Sequence, residues 1–433
     1  MIRRLSVASI VVVAVFAASP AFAAHGSNVR VTVAADGGDP DSSANWPSVS
    51  ADGRYVAFSS WADNLVPNDL NNSSDVFVRD LVTGTTRLVS VASDGTQAND
   101  SSFTPSISGD GDVIAFQSYA SNLVPNDTEG HVDVFVHVMS TGETMRISQR
   151  RSGVGANDDS REPAISANGK VVSFSSVASN LVAANVNTTG LCCDIFVHTI
   201  ATGANQLGDP MLDGDGASDS FLSVLSSTGR YVAFLSWGCF LVTNIPCLDE
   251  SNVYELDMKT GEMQLVSRSY SGKVGFGCGA NPAISADGSV VAFISDGDNI
   301  VRHDTNGAYD VFVRDMTAGV TQRASVTSKE QQTNGGLGRI GISGDGTLVT
   351  FQSDAWNIVP DDGNTWQDIF LRDVARGKTY RVSLSAAGGD TNAYSANAAI
   401  SADGSTVVFE SDASNVVKPD RNFSTDIFAR LLG

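Results

Sequence analysis

Short runs of apolar and β-branched residues, separated by polar turns that contain glycine, follow one another along the chain. In "TPSISGDGDVIAFQS" from Thr104 the turn "GDG" separates two such runs, and "DVFVHVM" and "ETMRISQ" follow with "STG" between them. Runs bounded by Asp-Gly or Thr-Gly steps are typical of antiparallel strands, because glycine accepts the positive φ of a tight hairpin. The pattern predicts an all-β protein.

One repeat accounts for most of the chain. A serine, any residue, then Asp, Asn or Thr and a glycine introduce an apolar run ending in phenylalanine, and this motif starts at Ser50, Ser108, Ser166, Ser226, Ser285, Ser343 and Ser401. The steps between these serines are 58, 58, 60, 59, 58 and 58 residues. Four antiparallel strands in each period predict a propeller blade. Consecutive apolar positions, as in Val56, Ala57 and Phe58, fit sheets that neighbouring blades cover on both faces.

The two ends of the repeat region complement each other. The last copy stops after "DIFARLLG" and lacks a fourth strand, whereas "SNVRVTVAADGG" precedes the first copy and is similar to fourth-strand segments. If Val29–Val33 pairs beside Asp426–Leu431, the ring closes and leaves no exposed sheet edge. We therefore predict a seven-bladed β-propeller of four-stranded antiparallel blades, in which the N-terminal strand completes the last blade.

The repeats resemble the TolB-like or WD40-like (PD40) β-propeller repeats of bacterial exported proteins. The resemblance rests on "PSVSADGRYVAF", "PSISGDGDVIAF" and "PAISADGSVVAF", joined to "DVFVRDLVTG" and its relatives, and it covers nearly all of the chain after the first 24 residues. TolB-type repeats usually carry Trp in the first-strand motif, where this chain has Val49, Ile107 and Ile284. The resemblance implies the blade and specifies no activity.

The first 24 residues predict a secretory signal peptide. Arg3 and Arg4 precede a short apolar run, and small residues around Ala21 to Ala24 fit a cleavage site. No later segment approaches the roughly 20 apolar residues that a membrane helix needs. We therefore expect residues 25–433 to form a single propeller domain, secreted as an extracellular monomer without membrane contact.

The charge of the chain excludes some partners. The 433 residues carry a formal net charge of −21, and loss of Arg3 and Arg4 with the signal peptide changes it to −23 (−21 − 2). Such a surface repels nucleic acid and anionic membranes and favours cations or basic proteins. We expect no nucleic-acid partner.

Acids and amides recur at fixed offsets in the loop before the third strand of a blade. Five copies share the spacing 0, 2, 6: Asp69, Asn71 and Asp75; Asp127, Glu129 and Asp133; Asp304, Asn306 and Asp310; Asp362, Asn364 and Asp368; Asp420, Asn422 and Asp426. The third copy keeps a longer version in Asn185, Asn187 and Asp194. One interpretation is a calcium site, since Ca²⁺ takes several oxygen ligands in a flexible loop. The other is Asx turns, with the last Asp capping the loop.

The fourth copy has lost these acids and contains cysteines. Cys239 and Cys247 lie in the corresponding loop, and in an exported protein this separation predicts a disulfide worth roughly 2–4 kcal/mol. The pairing of Cys192, Cys193 and Cys278 stays open.

The sequence contains little that indicates catalysis. It has no GxSxG elbow, and the GxGxxG match "GLGRIG" begins where a first strand is predicted, so we expect no catalytic residues. Our leading hypothesis is a non-enzymatic propeller that binds an unidentified protein or envelope glycan through the rim of long loops. Aromatic residues there either stack on sugars or fill gaps between blades: Trp46, Trp61, Phe103, Tyr119, Trp356 and Trp366.

The alternative is an exported hydrolase or lyase that acts on a polysaccharide. Such an enzyme would need an irregular blade that brings unmatched polar residues into the central channel. The divergent stretch "LDGDGASDSF" from Leu212, at the start of the fourth repeat, is where we expect such residues. A fold alone does not decide between binding and catalysis.

Overall fold

The computed structural model describes residues 26–182, 193–210, 219–237, 241–243, 250–275, 277 and 279–432. Within these ranges, 28 strands form seven four-stranded antiparallel sheets, so the predicted seven-bladed propeller is confirmed. The signal peptide lies outside the described residues and stays a prediction. In the part of the chain that is described, no helix has the length and apolar character needed to cross a membrane.

Each blade contributes one strand to each of four positions, counted outward from the axis. The innermost strands are Ala44–Val49 (β2), Ser102–Ile107 (β6), Ser160–Ile165 (β10), Ser220–Leu225 (β14), Gly279–Ile284 (β18), Leu337–Ile342 (β22) and Ser395–Ile400 (β26). The second strands are Tyr55–Ser60 (β3), Val113–Ser118 (β7), Val171–Ser176 (β11), Tyr231–Ser236 (β15), Val290–Ser295 (β19), Leu348–Ser353 (β23) and Thr406–Ser411 (β27).

The outer half of each sheet follows in the same order. The third strands are Asp75–Asp80 (β4), Asp133–Val138 (β8), Asp194–Thr199 (β12), Asn252–Asp257 (β16), Asp310–Asp315 (β20), Asp368–Asp373 (β24) and Asp426–Leu431 (β28). The outermost strands are Thr85–Leu88 (β5), Glu143–Arg146 (β9), Ala204–Leu207 (β13), Glu262–Leu265 (β17), Val320–Arg323 (β21), Lys378–Arg381 (β25) and, in blade seven, Ser27–Arg30 (β1).

The innermost strands surround a central channel. Each of them contacts the innermost strand of the blade on either side, and the ring of contacts closes between β26 and β2. A ring of this kind places the innermost strands at the axis and the long loops, which begin after the second and the outermost strands, on one face. We call this the loop face.

The ring closes as the chain ends predict. β1 pairs antiparallel with β28, with Ser27 opposite Leu431 and Arg30 opposite Phe428. The strand begins two residues before the predicted Val29, and the pairing continues one residue beyond β1 through a 2.8 Å hydrogen bond from the Val31 N–H to the Ile427 carbonyl. This closure leaves blade seven with four strands like the others.

Phenylalanine fills the interior of every blade. One ring from the second strand packs on an aromatic ring from the third, as in Phe58 and Phe77 at 5.8 Å between centroids and Phe293 and Phe312 at 5.5 Å. These four side chains are fully buried. The apolar run that ends in phenylalanine therefore recurs because each sheet is covered on both faces.

The Ser-x-Asp-Gly turns close the face opposite the long loops. The Ser50 hydroxyl donates to Asp52 Oδ1 at 2.7 Å and accepts the Tyr55 N–H at 2.9 Å, which fixes the turn. Backbone hydrogen bonds of 2.8 to 3.0 Å then join each turn to the next, from the Ala51 N–H to the Gly109 carbonyl and onward around the ring until the Asp403 N–H returns to the Ala51 carbonyl. Each blade is thereby fixed to its neighbours beside the channel.

Candidate functional site

Arginine lies among the repeated acids in four of the five predicted loops. Guanidinium nitrogens at the end of an outermost strand lie 2.6 to 3.6 Å from the carboxylates: Arg146 with Asp127, Glu129 and Asp133; Arg323 with Asp304 and Asp310; Arg381 with Asp362 and Asp368; Arg30 with Asp420 and Asp426. These arginines are almost completely buried. Their charge therefore compensates the acids inside the fold.

Blade one has a neutral group in the same place. Leu88 occupies the position of the arginine, and Gln97 Nε2 donates to Asp69 Oδ1 at 2.6 Å and to Asp75 Oδ2 at 2.8 Å. The Leu70 N–H donates to Gln97 Oε1 at 3.1 Å, which fixes the amide in this orientation. Burial raises the pKa of Asp75 to about 6.

The amides of these loops form the predicted Asx turns. Asn71 Oδ1 accepts the Ser73 N–H at 3.0 Å, and Asn364 Oδ1 accepts the Trp366 N–H at 2.7 Å. The last acid of each loop accepts a hydroxyl group instead, as Asp310 does from Ser325 at 2.5 Å. The Asx-turn interpretation is thus confirmed for these amides.

The same residues fit a calcium ion poorly in the four arginine-containing loops. A cation placed between the carboxylates would lie next to a guanidinium, and like charges repel each other strongly at such short distances. Calcium binding at the fifteen residues stays a prediction. Its least obstructed location is the loop of Asp69, Asn71 and Asp75, where no arginine is present among the described residues.

Several predicted residues lie at the edge of what the structure describes. Asn185, Asn187, Cys239 and Cys247 are outside the described residues, so the disulfide stays a prediction. Burial raises the pKa of Asp194, the last acid of the third copy, to about 6.

A group of residues of which the sequence predicted only Trp46, as an aromatic residue of the rim, lies in the central channel. The third residue of each innermost strand forms what we call the collar: Trp46, Thr104, Glu162, Leu222, Asn281, Arg339 and Asn397. All except Arg339 have φ between 43° and 59°, and in every blade the register with the second strand shifts beside this position. A bulge in the left-handed region redirects a side chain, at a cost in backbone energy.

Two collar residues from blades that are not adjacent meet in the channel. The Arg339 guanidinium lies 4.9 Å from the centre of the Trp46 ring, although blade seven separates their two blades. Only side chains directed into the channel can meet in this way. Among the described residues Arg339 makes no hydrogen bond or ion pair, and burial lowers the pKa of its guanidinium, while Glu410 and Glu162 raise it.

Glu410 supports the collar from the second strand of blade seven. Its Oε1 accepts the Trp46 N–H at 2.5 Å, and its Oε2 accepts a hydrogen bond from Asn397 Nδ2 at 2.9 Å. Burial raises the pKa of Glu410, although both hydrogen bonds and Arg339 oppose the rise. Glu162 Oε2 in turn accepts the Leu222 N–H at 3.2 Å. The channel therefore combines an unpaired cation with hydrogen-bonded carboxylates.

The entrance to the channel on the loop face is divided into two halves. The residue directly after each second strand surrounds the entrance, and we call these residues the mouth: Trp61, Tyr119, Val177, Trp237, Asp296, Asp354 and Asp412. Since blades follow one another in chain order, the four apolar or aromatic residues occupy one half and the three acids the other. Trp61, Tyr119 and Trp237 are 44–48% exposed.

A continuous aromatic strip crosses blades one and two in the apolar half, and Arg161 of blade three extends it. The ring centroids of Trp61 and Phe103 are 6.2 Å apart, and those of Phe103 and Tyr119 are 6.4 Å apart. The Arg161 guanidinium lies 5.8 Å from the Tyr119 ring and donates to its hydroxyl at 3.3 Å. We call Trp61, Phe103, Tyr119 and Arg161 the aromatic arc. Trp356 and Trp366 are 67% and 50% exposed and belong to other parts of the loop face.

The buried histidines lie away from the channel. His137 and His198 occupy third strands, where Nδ1 of His137 is 2.8 Å from the Thr144 hydroxyl and Nδ1 of His198 is 2.7 Å from Asn205 Oδ1. Burial lowers the pKa of His137 to about 4. No innermost strand contains a histidine.

The collar had a signal in the sequence. The neighbouring positions of the first-strand motif repeat, with Pro in four copies and Val, Leu or Ile at the end, whereas the third position changes in charge and size from blade to blade. Variation at one position of an otherwise regular repeat identifies the side chains that are free from packing. The string "GLGRIG", which resembled a nucleotide-binding motif, overlaps β22 from Leu337 to Gly341 and supplies Arg339.

Comparison with known proteins supports the fold alone. No family model and no curated protein matches the sequence. Among solved structures, oligogalacturonate lyase from Vibrio parahaemolyticus aligns with a TM-score of 0.55 and 11% identity over 94% of this chain and 98% of that one. The β-propeller domain of the Trilobed protease from Pyrococcus furiosus aligns with a TM-score of 0.53 and 12% identity over 90% and 93%.

The predicted TolB-like resemblance also appears among the solved structures. TolB from Acinetobacter baumannii aligns with a TM-score of 0.37 and 15% identity over 65% of this chain. This chain covers 54% of that protein. The alignments with TM-scores above 0.5 show the propeller fold alone, at identities that indicate no shared activity.

Proposed function

We propose that this protein is an extracellular carbohydrate-binding propeller whose ligand lies across the channel mouth on the loop face. The observation that carries the proposal is the aromatic arc, in which three rings follow one another beside the channel at 6.2 and 6.4 Å. Rings that fill gaps between blades are buried, whereas Trp61 and Tyr119 are 48% and 44% exposed. Exposed rings of this kind stack on the apolar faces of sugars.

The collar supports this ligand class because it offers both donors and acceptors. Arg339 supplies guanidinium N–H groups without a partner among the described residues, and Glu410, Glu162 and Asn397 supply oxygens nearby. Sugar hydroxyls donate and accept hydrogen bonds, so they match such a mixed lining. A purely apolar ligand that excluded water would leave the Arg339 guanidinium without a hydrogen-bond partner, at a cost of about 1–3 kcal/mol.

The charge of the protein further restricts the class of ligand. Asp296, Asp354 and Asp412 form the opposite half of the mouth, and the whole chain has a formal net charge of −21. A polyanion would be repelled by both, whereas a neutral or amine-bearing glycan would be accepted. The ligand we propose is therefore a neutral or amine-bearing envelope glycan.

A pair of tryptophan variants tests the proposal. The protein is incubated with an array of neutral, amine-bearing and acidic glycans, and affinity for any positive glycan is measured for wild type, Trp61→Ala and Trp356→Ala. We expect Trp61→Ala to weaken binding at least tenfold, about 1.4 kcal/mol. Trp356→Ala, which removes an even more exposed tryptophan ring outside the arc, serves as the control.

Two outcomes would overturn carbohydrate binding. One is an equal loss of glycan affinity in the two variants. The other is the absence of binding to every glycan on the array. If the wild type then captured a protein from the secretome and Trp61→Ala did not, the mouth would be a protein-binding surface, which is the second part of our sequence hypothesis.

One observation favours the enzymatic alternative. Unmatched polar residues of the kind that such an enzyme needs line the channel in blades three, six and seven, whereas most of the predicted stretch from Leu212 lies outside the described residues. A carboxyl group with a raised pKa, such as that of Glu410, suits a general acid. Product formation from a panel of polysaccharides, lost in Glu410→Gln and retained in Trp356→Ala, would assign this activity.

A further inference from the structure

His131 and two aspartates converge on the loop face, next to the aromatic arc. His131 lies in the loop before β8, and Asp158 and Asp159 lie in the loop before β10 of the next blade. His131 Nδ1 is 4.0 Å from Asp158 Oδ1 and 3.8 Å from Asp159 Oδ1. One ligand atom from each of the three residues lies within 4.8 Å of the others. This is the one group of three such residues found among the described residues.

Contacts outside the trio orient the two carboxylates. Asp159 Oδ1 accepts the Val132 N–H at 2.9 Å, and its Oδ2 is 2.7 Å from the Arg161 guanidinium. Asp158 Oδ1 accepts the Asp159 N–H at 2.8 Å. The two backbone N–H groups hold the carboxylates in position, as outer partners of metal ligands do. The Arg161 guanidinium contacts the other oxygen of Asp159 and is 42% exposed, unlike the buried arginines of the acidic loops, so solvent screens its repulsion of an ion.

The spacing fits a shared ion better than a direct hydrogen bond. Distances of 3.8 and 4.0 Å are too long for an imidazole to donate to a carboxylate, and among the described residues His131 makes no hydrogen bond. Donor atoms that share one first-row ion, each at about 2.0–2.2 Å, lie roughly 3–4 Å apart. The imidazole thus faces two carboxylates across a gap of the size that an ion fills.

We propose that His131, Asp158 and Asp159 bind one divalent first-row transition ion, with Zn²⁺ and Mn²⁺ as the representative members. One imidazole and two carboxylates suit these ions, whereas Ca²⁺ prefers a set made of oxygen atoms alone. The side chains are 33–44% exposed, which leaves space for water or a ligand oxygen on the ion. Structural sites are closed, whereas open sites of this type bind or activate a further group.

The site is connected to the arc by Arg161. The guanidinium that pairs with Asp159 also lies against Tyr119, so an ion that withdraws charge from Asp159 changes the environment of that ring. An ion here would therefore alter Tyr119 fluorescence even in the absence of a carbohydrate. The site does not depend on the proposed function, because the trio binds the ion whether or not a glycan occupies the mouth.

Metal titration of the full chain tests the proposal. Free Mn²⁺ is counted by electron paramagnetic resonance and Zn²⁺ binding by calorimetry, for wild type, His131→Ala, Asp158→Asn and His303→Ala. Mn²⁺ avoids thiolates, so its signal is independent of the cysteines. We expect one Mn²⁺ per chain, with affinity reduced at least tenfold in His131→Ala and Asp158→Asn and unchanged in His303→Ala, which removes another histidine of the same face.

The folded state of each variant is checked by its melting temperature without metal, because all three substitutions replace partly or fully exposed side chains. Absence of stoichiometric Mn²⁺ and Zn²⁺ binding to the wild type would overturn the site. So would equal binding by wild type and His131→Ala, or loss of binding only in His303→Ala.

Discussion

Arg339 and Trp46, which belong to blades separated by blade seven, meet in the central channel with 4.9 Å between the guanidinium carbon and the ring centroid. A cation over an aromatic face contributes about 0.5–2 kcal/mol. The Arg339 side chain is only partly buried, and it makes no hydrogen bond to a described residue. Its N–H groups are therefore available to a ligand in the channel.

Replacing Arg339 should separate binding from folding. In Arg339→Gln the free energy of unfolding should stay within about 1 kcal/mol of wild type, because no hydrogen bond to a described residue is lost. Affinity for a mouth ligand should fall about tenfold, ~1.4 kcal/mol. Urea denaturation and a binding titration measure the two quantities, with Arg54→Gln on the opposite face as control. A large loss of stability with intact binding would show that Arg339 only fills the channel.

The arginine of an acidic loop should behave in the opposite way. Arg146→Leu leaves three carboxylates without their cation, two of them nearly inaccessible, so we expect a loss of about 3–5 kcal/mol in the free energy of unfolding. Blade four naturally combines Leu265 with Asn252 at the positions of Arg146 and Asp133. The double variant Arg146→Leu/Asp133→Asn should therefore recover part of the loss.

Chemical denaturation of both variants, with and without added Ca²⁺, measures these effects. A small loss in Arg146→Leu that Ca²⁺ reverses fully would contradict the structural role of the arginine. It would assign the carboxylates of this loop to a cation instead.

The features that could be predicted from the sequence are those that every blade needs for its own fold. The Ser50 turn and the pair Phe58 and Phe77 perform the same task in each blade, so their residues recur, and the period reveals the fold. The arginines beside the acidic loops could have been predicted from the repeat in the same way. Three of the five acidic loops are followed by an outermost strand that ends in arginine, and a fourth, in blade seven, is completed by β1, which ends in Arg30. The remaining loop is followed by Leu88.

The channel could not be predicted from the same pattern. Which residues face the axis depends on a bulge with positive φ at Trp46, Glu162 and their equivalents, and neither residue type indicates this conformation. The contact between Arg339 and Trp46 further requires the ring to close, since the two residues are distant in sequence. Local patterns specify the blade, whereas the arrangement of the blades specifies the site.

The glycine of a Ser-x-Asp-Gly turn should be far more sensitive than a glycine in a long loop. A Cβ at Gly111 would lie 2.3 Å from the Tyr55 ring of the preceding blade, whereas a Cβ at Gly95 meets nothing within 4 Å. Both have positive φ, 77° and 86°, so alanine costs each about 1–2 kcal/mol in backbone energy.

We expect Gly95→Ala to show only that cost and Gly111→Ala to lose more than about 3 kcal/mol, because the clash is added. Melting temperatures and urea midpoints of the two variants give the comparison. Similar losses in both would mean that the turn does not pack against Tyr55.

Glu255 replaces an aliphatic residue in the interior of blade four. Its equivalents in the other third strands are Val78, Val136, Val197, Val313, Leu371 and Ala429. The Glu255 side chain is 3% exposed, and its Oε1 has no hydrogen-bond partner among the described residues. Burial, with smaller contributions from Asp257 and Asp287, raises the pKa of Glu255 to about 7.

This raised pKa gives stability a defined dependence on pH. Between the ordinary pKa of 4.5 and about 7, folded Glu255 keeps a proton that the unfolded chain has released, so the free energy of unfolding falls as pH rises through this window. Glu255→Val should therefore stabilise the protein by on the order of 2 kcal/mol at pH 8. The gain in the free energy of unfolding of Glu255→Val over wild type should become smaller towards pH 4.5.

Other buried acids such as Asp75 also contribute to the pH dependence of stability, but they are the same in both proteins and cancel in the difference. Urea denaturation across this pH range, with the exposed Glu262→Gln as control, measures the trend. An advantage that grows as pH falls would mean that Glu255 is stabilised in its charged form.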